Sequence, residues 1–76
     1  MRYEYADGFR FEADTPEDIC AAIRDSMKFQ FTDSLEEWMR GHAKRCAMWD
    51  GKDYSAESYE KHVADLLRHG VIRQIG

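Results

Sequence analysis

Apolar and polar positions alternate with period two along residues 2–13. Tyr3, Tyr5, Phe9 and Phe11 are spaced by charged residues around Asp7-Gly8, a pattern that reads as a β-hairpin. A two-residue Asp7-Gly8 loop would pair Glu4 with Phe11 and Tyr3 with Glu12, mixing both faces of the ribbon. A three-residue loop, Ala6-Asp7-Gly8, instead pairs Tyr5 with Phe9, Tyr3 with Phe11 and Met1 with Ala13. The other face then carries two oppositely charged cross-strand pairs, Glu4–Arg10 and Arg2–Glu12. This register sorts every side chain and puts Gly8 at the left-handed position of a bulged turn, so it is the one predicted.

The period then changes to that of a helix. Thr15 caps and Pro16 opens a helix whose first turn carries Glu17 and Asp18. Ile19, Cys20, Ile23 and Met27 form one stripe, which carries this helix to about Lys28. Phe29-Gln30-Phe31-Thr32 alternates and reads as a short extended connection. Ser34-Leu35-Glu36-Glu37 is a capping box opening a second helix. Its stripe takes in Leu35, Trp38, Met39, His42, Cys46 and Trp49, and Asp50-Gly51 ends it. Gly41 in mid-helix costs about 1 kcal/mol relative to Ala and marks a place where another backbone is expected to approach closely. Ser55 is the expected cap of a third helix, with Tyr54 and Tyr59 spaced as a hydrophobic staple and Tyr59, Val63, Leu66 and Leu67 as its stripe. Gly70 follows its C-cap, and Val71–Ile75 reads as a last strand. The expected fold is α+β, ordered ββαααβ. The last strand joins the hairpin in a small antiparallel sheet, and three helices cover the face bearing Tyr3, Tyr5, Phe9 and Phe11.

Composition bounds this picture. The 76 residues make one domain, 1–76, in which Leu, Ile, Val and Phe contribute only 13 positions. That alone would suggest disorder, but ten aromatics, four methionines and a net charge of only −4 favour a core rich in rings and sulfur. No apolar run approaches the ~20 residues of a membrane span. The first residues form a strand pattern rather than a signal peptide, and two cysteines are too few for a disulfide framework, so a reducing cytoplasm is the expected compartment.

Little in the chain points to catalysis. No phosphate-binding glycine loop and no His-Glu-x-x-His sequence occurs. His42 and Cys46 stand four residues apart on one helical face, as helical metal ligands do, and Cys20 or His62 would be needed to complete a zinc set. Their place in the middle of an apolar stripe predicts instead a buried, structural pair without metal, and no cofactor is expected. Cys20 and Cys46 adjoin no oxyanion-hole motif, so the chain reads as a non-enzyme. The second and third helices, joined through Asp50–Tyr54, offer an alternative reading as a helix-turn-helix, with Arg40, Lys44, Arg45, Lys61 and Arg68 on phosphates. Glu57, Glu60 and Asp65 on the helix that would enter the groove oppose it.

Charge is the most informative remaining feature. Residues 1–37 carry ten acids against four bases, whereas residues 38–76 carry five acids against seven bases. Asp14, Glu17, Asp18, Asp25, Asp33, Glu36 and Glu37 gather around two helix starts and the connection between them, and form the candidate partner-binding set. Off-stripe Met48 and surplus aromatics would supply apolar anchors beside it. A very small acidic chain with such a cluster and no catalytic motif resembles in type the anti-CRISPR inhibitors and other anti-defence proteins of phages and mobile elements. That resemblance rests on the acids from Asp14 to Glu37. It implies a non-enzymatic inhibitor acting in the bacterial cytoplasm on a protein partner with a basic surface, such as a CRISPR effector or another defence nuclease complex. A small regulatory or structural subunit of a bacterial complex is the further alternative. The positive balance of residues 38–76 favours protein contact over mimicry of a nucleic acid along the whole molecule.

Overall fold

A computed structural model describes residues 1–26 and 34–76. Strand β1 (Arg2–Tyr5) and strand β2 (Arg10–Glu12) form the hairpin, followed by helices α1 (Pro16–Ser26), α2 (Leu35–Asp50) and α3 (Tyr59–Arg68) and strand β3 (Ile72–Gln74). The sheet is antiparallel with order β2-β1-β3, so the first strand is central. The expected α+β order ββαααβ is the observed one.

The hairpin has the three-residue loop. Arg2 pairs with Glu12, Tyr3 with Phe11 and Glu4 with Arg10, while the Tyr5 amide donates to the Phe9 carbonyl at 2.7 Å and the Ala13 amide to Met1 at 3.0 Å. Gly8 takes φ +94°, a conformation that a side chain would oppose. One face holds Tyr3, Tyr5 and Phe11 against the helices, and Phe9 stacks on Phe11 with ring centroids 5.5 Å apart. On the other face Glu4 is held by Arg10 on one edge strand and Arg73 on the other, so a single carboxylate ties all three strands together. Hydrogen bonds from Arg10 and then Arg73 lower the Glu4 pKa.

The helices begin and end where local chemistry satisfies their free backbone groups. The Thr15 hydroxyl accepts from the Asp18 amide, and the Ser34 hydroxyl from the Glu37 amide. Gly51 closes α2 in the left-handed conformation. After α3, the Val71 amide returns to the Leu66 carbonyl and the Gly70 amide to Leu67, with Gly70 at φ +78°, which satisfies carbonyls that the helix leaves open. The core draws on every element but β2, whose half-buried Phe11 packs against it: Tyr3, Ala13, Ile19, Cys20, Ile23, Trp38, Met39, Cys46, Val63, Leu66, Val71 and Ile72. No helix among the described residues is long and apolar enough to cross a membrane.

Four expectations need correction. The third helix starts at Ser58, whose hydroxyl accepts from the Lys61 amide, and not at Ser55. Ser55 is held outside the helix by α3 itself: its amide donates to Asp65 and its carbonyl accepts from His62. Trp49 is 74% exposed although it shares the arc of the buried residues, because α2 runs on past the layer that covers them. Leu67, assigned to the buried stripe of α3, is 41% exposed. Finally, no second backbone among the described residues approaches Gly41; of these, a Cβ there would meet only the end of the Arg45 side chain. Met27, Lys28, the Phe29–Thr32 connection and Asp33 lie outside the described residues.

Candidate functional site

Two groups of residues carry chemistry, one buried and one at the surface. The buried group is a chain of hydrogen bonds through the middle of the fold. The Ser55 carbonyl can only accept, so His62 Nδ1–H donates to it at 2.8 Å. His62 Nε2 is then an acceptor and receives His42 Nδ1–H at 2.9 Å. His42 Nε2 in turn receives the Tyr5 hydroxyl at 2.9 Å, with the Cys46 thiol 3.6 Å from the same nitrogen. One end fixes the direction of every proton, and both rings are neutral.

The surroundings enforce that neutrality. His42 and His62 are 2% and 0% exposed. Burial, then the neighbouring His62 and Arg45, push the His42 pKa down to about 3. Burial also lowers that of His62, against the opposing pull of the Ser55 carbonyl. Burial raises the Tyr5 phenol to about 12, the Cys46 thiol to about 11 and the Cys20 thiol to about 12, the reverse of what a nucleophilic thiolate requires. Trp38 stacks on His42 at 4.6 Å with the rings 14° from parallel, covering it from the side. The expected burial of His42 and Cys46 is therefore observed. Among the described residues no three metal-ligating side chains are grouped to hold an ion. The network joins β1, α2, α3 and the connection before α3.

The surface group is the acidic set. Glu17 and Asp18 occupy the first turn of α1, Glu36 and Glu37 that of α2, and all are exposed. Asp14 lies ahead of α1, 3.9 Å from the N-terminal amine, and Asp25 pairs with Arg24 near the end of the helix. Asp33 lies outside the described residues. Helices α1 and α2 do not leave their acids isolated. Partial burial, then the charges of Glu36 and Glu17, push the Tyr59 phenol's pKa upward, so carboxylates from two helices act on one hydroxyl at the start of the third. Sequence position had shown the cluster but not this joint influence on Tyr59.

Beside it lies a groove of about 410 Å³ lined by Glu36, Met39, Arg40, Ala56, Glu57, Ser58 and Tyr59. It continues past Arg40 and Ala56 into a second groove of about 390 Å³, whose other walls include Ala43, Ala47 and Tyr54. Small residues on α2 and in the connection leave this trough between them. Of the acidic set, Glu36 lines the first groove, in mixed company with Arg40, Glu57 and Ser58, and the second is the more apolar of the two, with Lys44 and Asp53 at its edge. Met48, expected as an anchor next to the acids, is instead at the far end of α2. The chain matches no protein-family model, no curated protein and no solved structure.

Proposed function

We propose that the chain is a non-enzymatic protein-binding module that docks its acidic rim on a basic protein surface. The observation that carries this reading is the set of exposed carboxylates, Glu17, Asp18, Glu36 and Glu37, in the first turns of the two packed helices α1 and α2, with Glu36 lining a groove that leads to a more apolar one. Interfaces of this kind combine charge that speeds encounter with a few central apolar contacts that set the lifetime. Half-buried Ala56 and Tyr59, with Ala47 and Tyr54 in the adjoining groove, supply the apolar part here. The buried thiols and neutral histidines supply no reactive group to the surface, which supports binding over catalysis. The type of partner we propose is a bacterial nucleic-acid-handling complex, such as a CRISPR effector or another defence nuclease. Its basic surface would be occupied by a phage- or mobile-element-encoded inhibitor acting in the cytoplasm. The helix-turn-helix alternative draws less support. Arg40, Lys61 and Arg68 are each paired with a carboxylate, and eight residues separate α2 from α3, against three or four in that motif.

The test is affinity capture from bacterial lysate with wild-type bait beside a Glu17→Gln/Asp18→Asn/Glu36→Gln/Glu37→Gln bait. Neutral amides are preferable to lysines, since positive charge in a helix's first turn would itself destabilise the fold. A discrete partner retained by the wild type and lost by the variant supports the proposal. Equal retention by both, or none by either, refutes it.

A further inference from the structure

The two outer strands of the sheet leave backbone edges that differ in charge. β1 lies between β2 and β3, so each outer strand is bonded on one side only. In the hairpin the bonded pairs are Tyr5–Phe9 and Met1–Ala13, with Tyr3–Phe11 between them. Alternation therefore turns the amides and carbonyls of Arg10 and Glu12 away from β1, toward the free edge. Tyr3 and Tyr5 direct their backbone groups to β2, so Glu4 bonds to Arg73, and those of Ile72 and Gln74 face outward. Among the described residues no backbone group pairs with either edge.

A free edge is a template for another strand, and the side chains on it decide what can pair there. Arg10 and Glu12 are exposed on either side of half-buried Phe11. Set antiparallel against itself about Phe11, the segment Arg10-Phe11-Glu12 places each arginine opposite the other copy's glutamate. The backbone fits the same register, because Arg10 and Glu12 are the residues whose amides and carbonyls face out, and such a pair exchanges both of its hydrogen bonds. The rows of charge on the outer face then continue across the junction. Arg73, Glu4 and Arg10 already alternate in sign across one copy. Glu12 of the second copy, with its own Arg2 at 3.9 Å, extends that alternation. On the inner face Phe11, stacked on Tyr3 at 5.7 Å, meets its counterpart. The β3 edge has the opposite character. Antiparallel pairing about Arg73 would set two guanidiniums directly opposite each other, which is destabilising.

We propose that the β2 edge is a self-association surface whose occupant is the β2 edge of a second copy of this chain, related by a two-fold axis between the two Phe11 side chains. The two sheets become one of twice the width, with a β3 strand at either end. Repulsion at β3 closes the assembly at two chains. A strand of three residues buries little surface, so the dimer is weak and forms at high concentration. This contact is independent of the acidic rim, which lies on α1 and α2.

The test is sedimentation velocity of the full chain at low salt, from about 20 µM to about 2 mM protein. The expected mass rises from one chain toward two. Glu12→Pro removes an amide that points to solvent, a change that edge strands accommodate, and should hold the protein at one chain across the range. Gln74→Pro does the same to the β3 edge and should leave the rise unchanged. Arg10→Glu alone and Glu12→Arg alone each set like charges opposite each other, so each should need at least tenfold more protein for the same rise. An equimolar mixture of the two restores opposite charges in both rows and should dimerise as the wild type does. The wild type and Glu12→Pro decide the matter even if Arg10→Glu, which faces Glu4, loosens the sheet. A wild type that stays at one chain throughout, or a Glu12→Pro variant that associates like the wild type, overturns the proposal. So does a mixture of folded charge variants no heavier than its components, a mass that grows past two chains, or loss of the rise in Gln74→Pro.

Discussion

His42 and His62 meet ring to ring, Nδ1 to Nε2 at 2.9 Å, at most 2% exposed, and each holds the other in a single tautomer. Burial disfavours a charge on either ring, and it outweighs the opposing pull of the Ser55 carbonyl and the Asp65 carboxylate on His62, so the network resists an added proton. Protonating His42 would turn its acceptor nitrogen into a donor facing the Tyr5 hydroxyl, and protonating His62 would do the same toward His42. The fold is thereby linked to pH.

In an unfolded chain a histidine titrates near 6.5. In the fold His42 is pushed down to about 3 and His62 in the same direction. Between pH 6.5 and 3 the unfolded chain binds more protons, so stability rises with pH across this window and is lost on acidification. The loss is on the order of 3–5 kcal/mol, comparable with the whole stability of a small domain. Urea titrations at pH 7, 5.5 and 4.5 should show the midpoint falling steadily. A midpoint that does not change between pH 7 and 4.5 would contradict the assigned neutrality.

Removing one donor is expected to cost far less than removing a ring. Tyr5→Phe deletes the hydroxyl that reaches His42 Nε2, but the Cys46 thiol, 3.6 Å away, can donate to the same nitrogen. The cost should be about 1 kcal/mol. His42→Ala empties the stack on Trp38 and leaves both the Tyr5 hydroxyl and His62 Nε2 without a partner, at a cost of about 3 kcal/mol or more. Chemical denaturation of the two variants gives the comparison, and equal losses would mean that the chain of bonds is not cooperative.

Gly41→Ala should stabilise the protein. A Cβ at Gly41 would lie 3.2 Å from Arg45 Nη1, the far end of a flexible side chain that can swing aside. The helix then gains up to ~1 kcal/mol, equivalent to a rise in Tm of about 4–8 °C in a domain of this size. A thermal melt followed at 222 nm decides it. A lowered Tm would show that Arg45 is held over Gly41 by more than its own helix.

The hairpin was legible in the sequence because only one register sorts Tyr3, Tyr5, Phe9 and Phe11 from their charged neighbours. Ser34 and Gly70 were legible because each has a single local solution. The start of α3 was not: Ser55 and Ser58 are both competent caps, and the choice is made by His62 and Asp65, seven and ten residues beyond Ser55. Trp49 shows the limit of periodicity, which gives direction around a helix but not where the neighbouring layer stops. The same limit hid the bond between His42 and His62, since spacing groups residues along one helix and not across two. At the surface, the acidic run was plain, but that the charges of Glu17 and Glu36 both act on Tyr59 depends on how three helices pack.

The claim that the acidic rim steers binding is tested most directly by association kinetics. With the captured partner immobilised, surface plasmon resonance gives the association and dissociation rates of the wild type and of Glu17→Gln/Glu36→Gln between about 50 and 500 mM salt. The account predicts that wild-type association slows at least tenfold over this range. The double variant should be slower at low salt and converge with the wild type at high salt, with dissociation nearly unchanged. An association rate that ignores salt, or that is the same for both proteins at low salt, would contradict it.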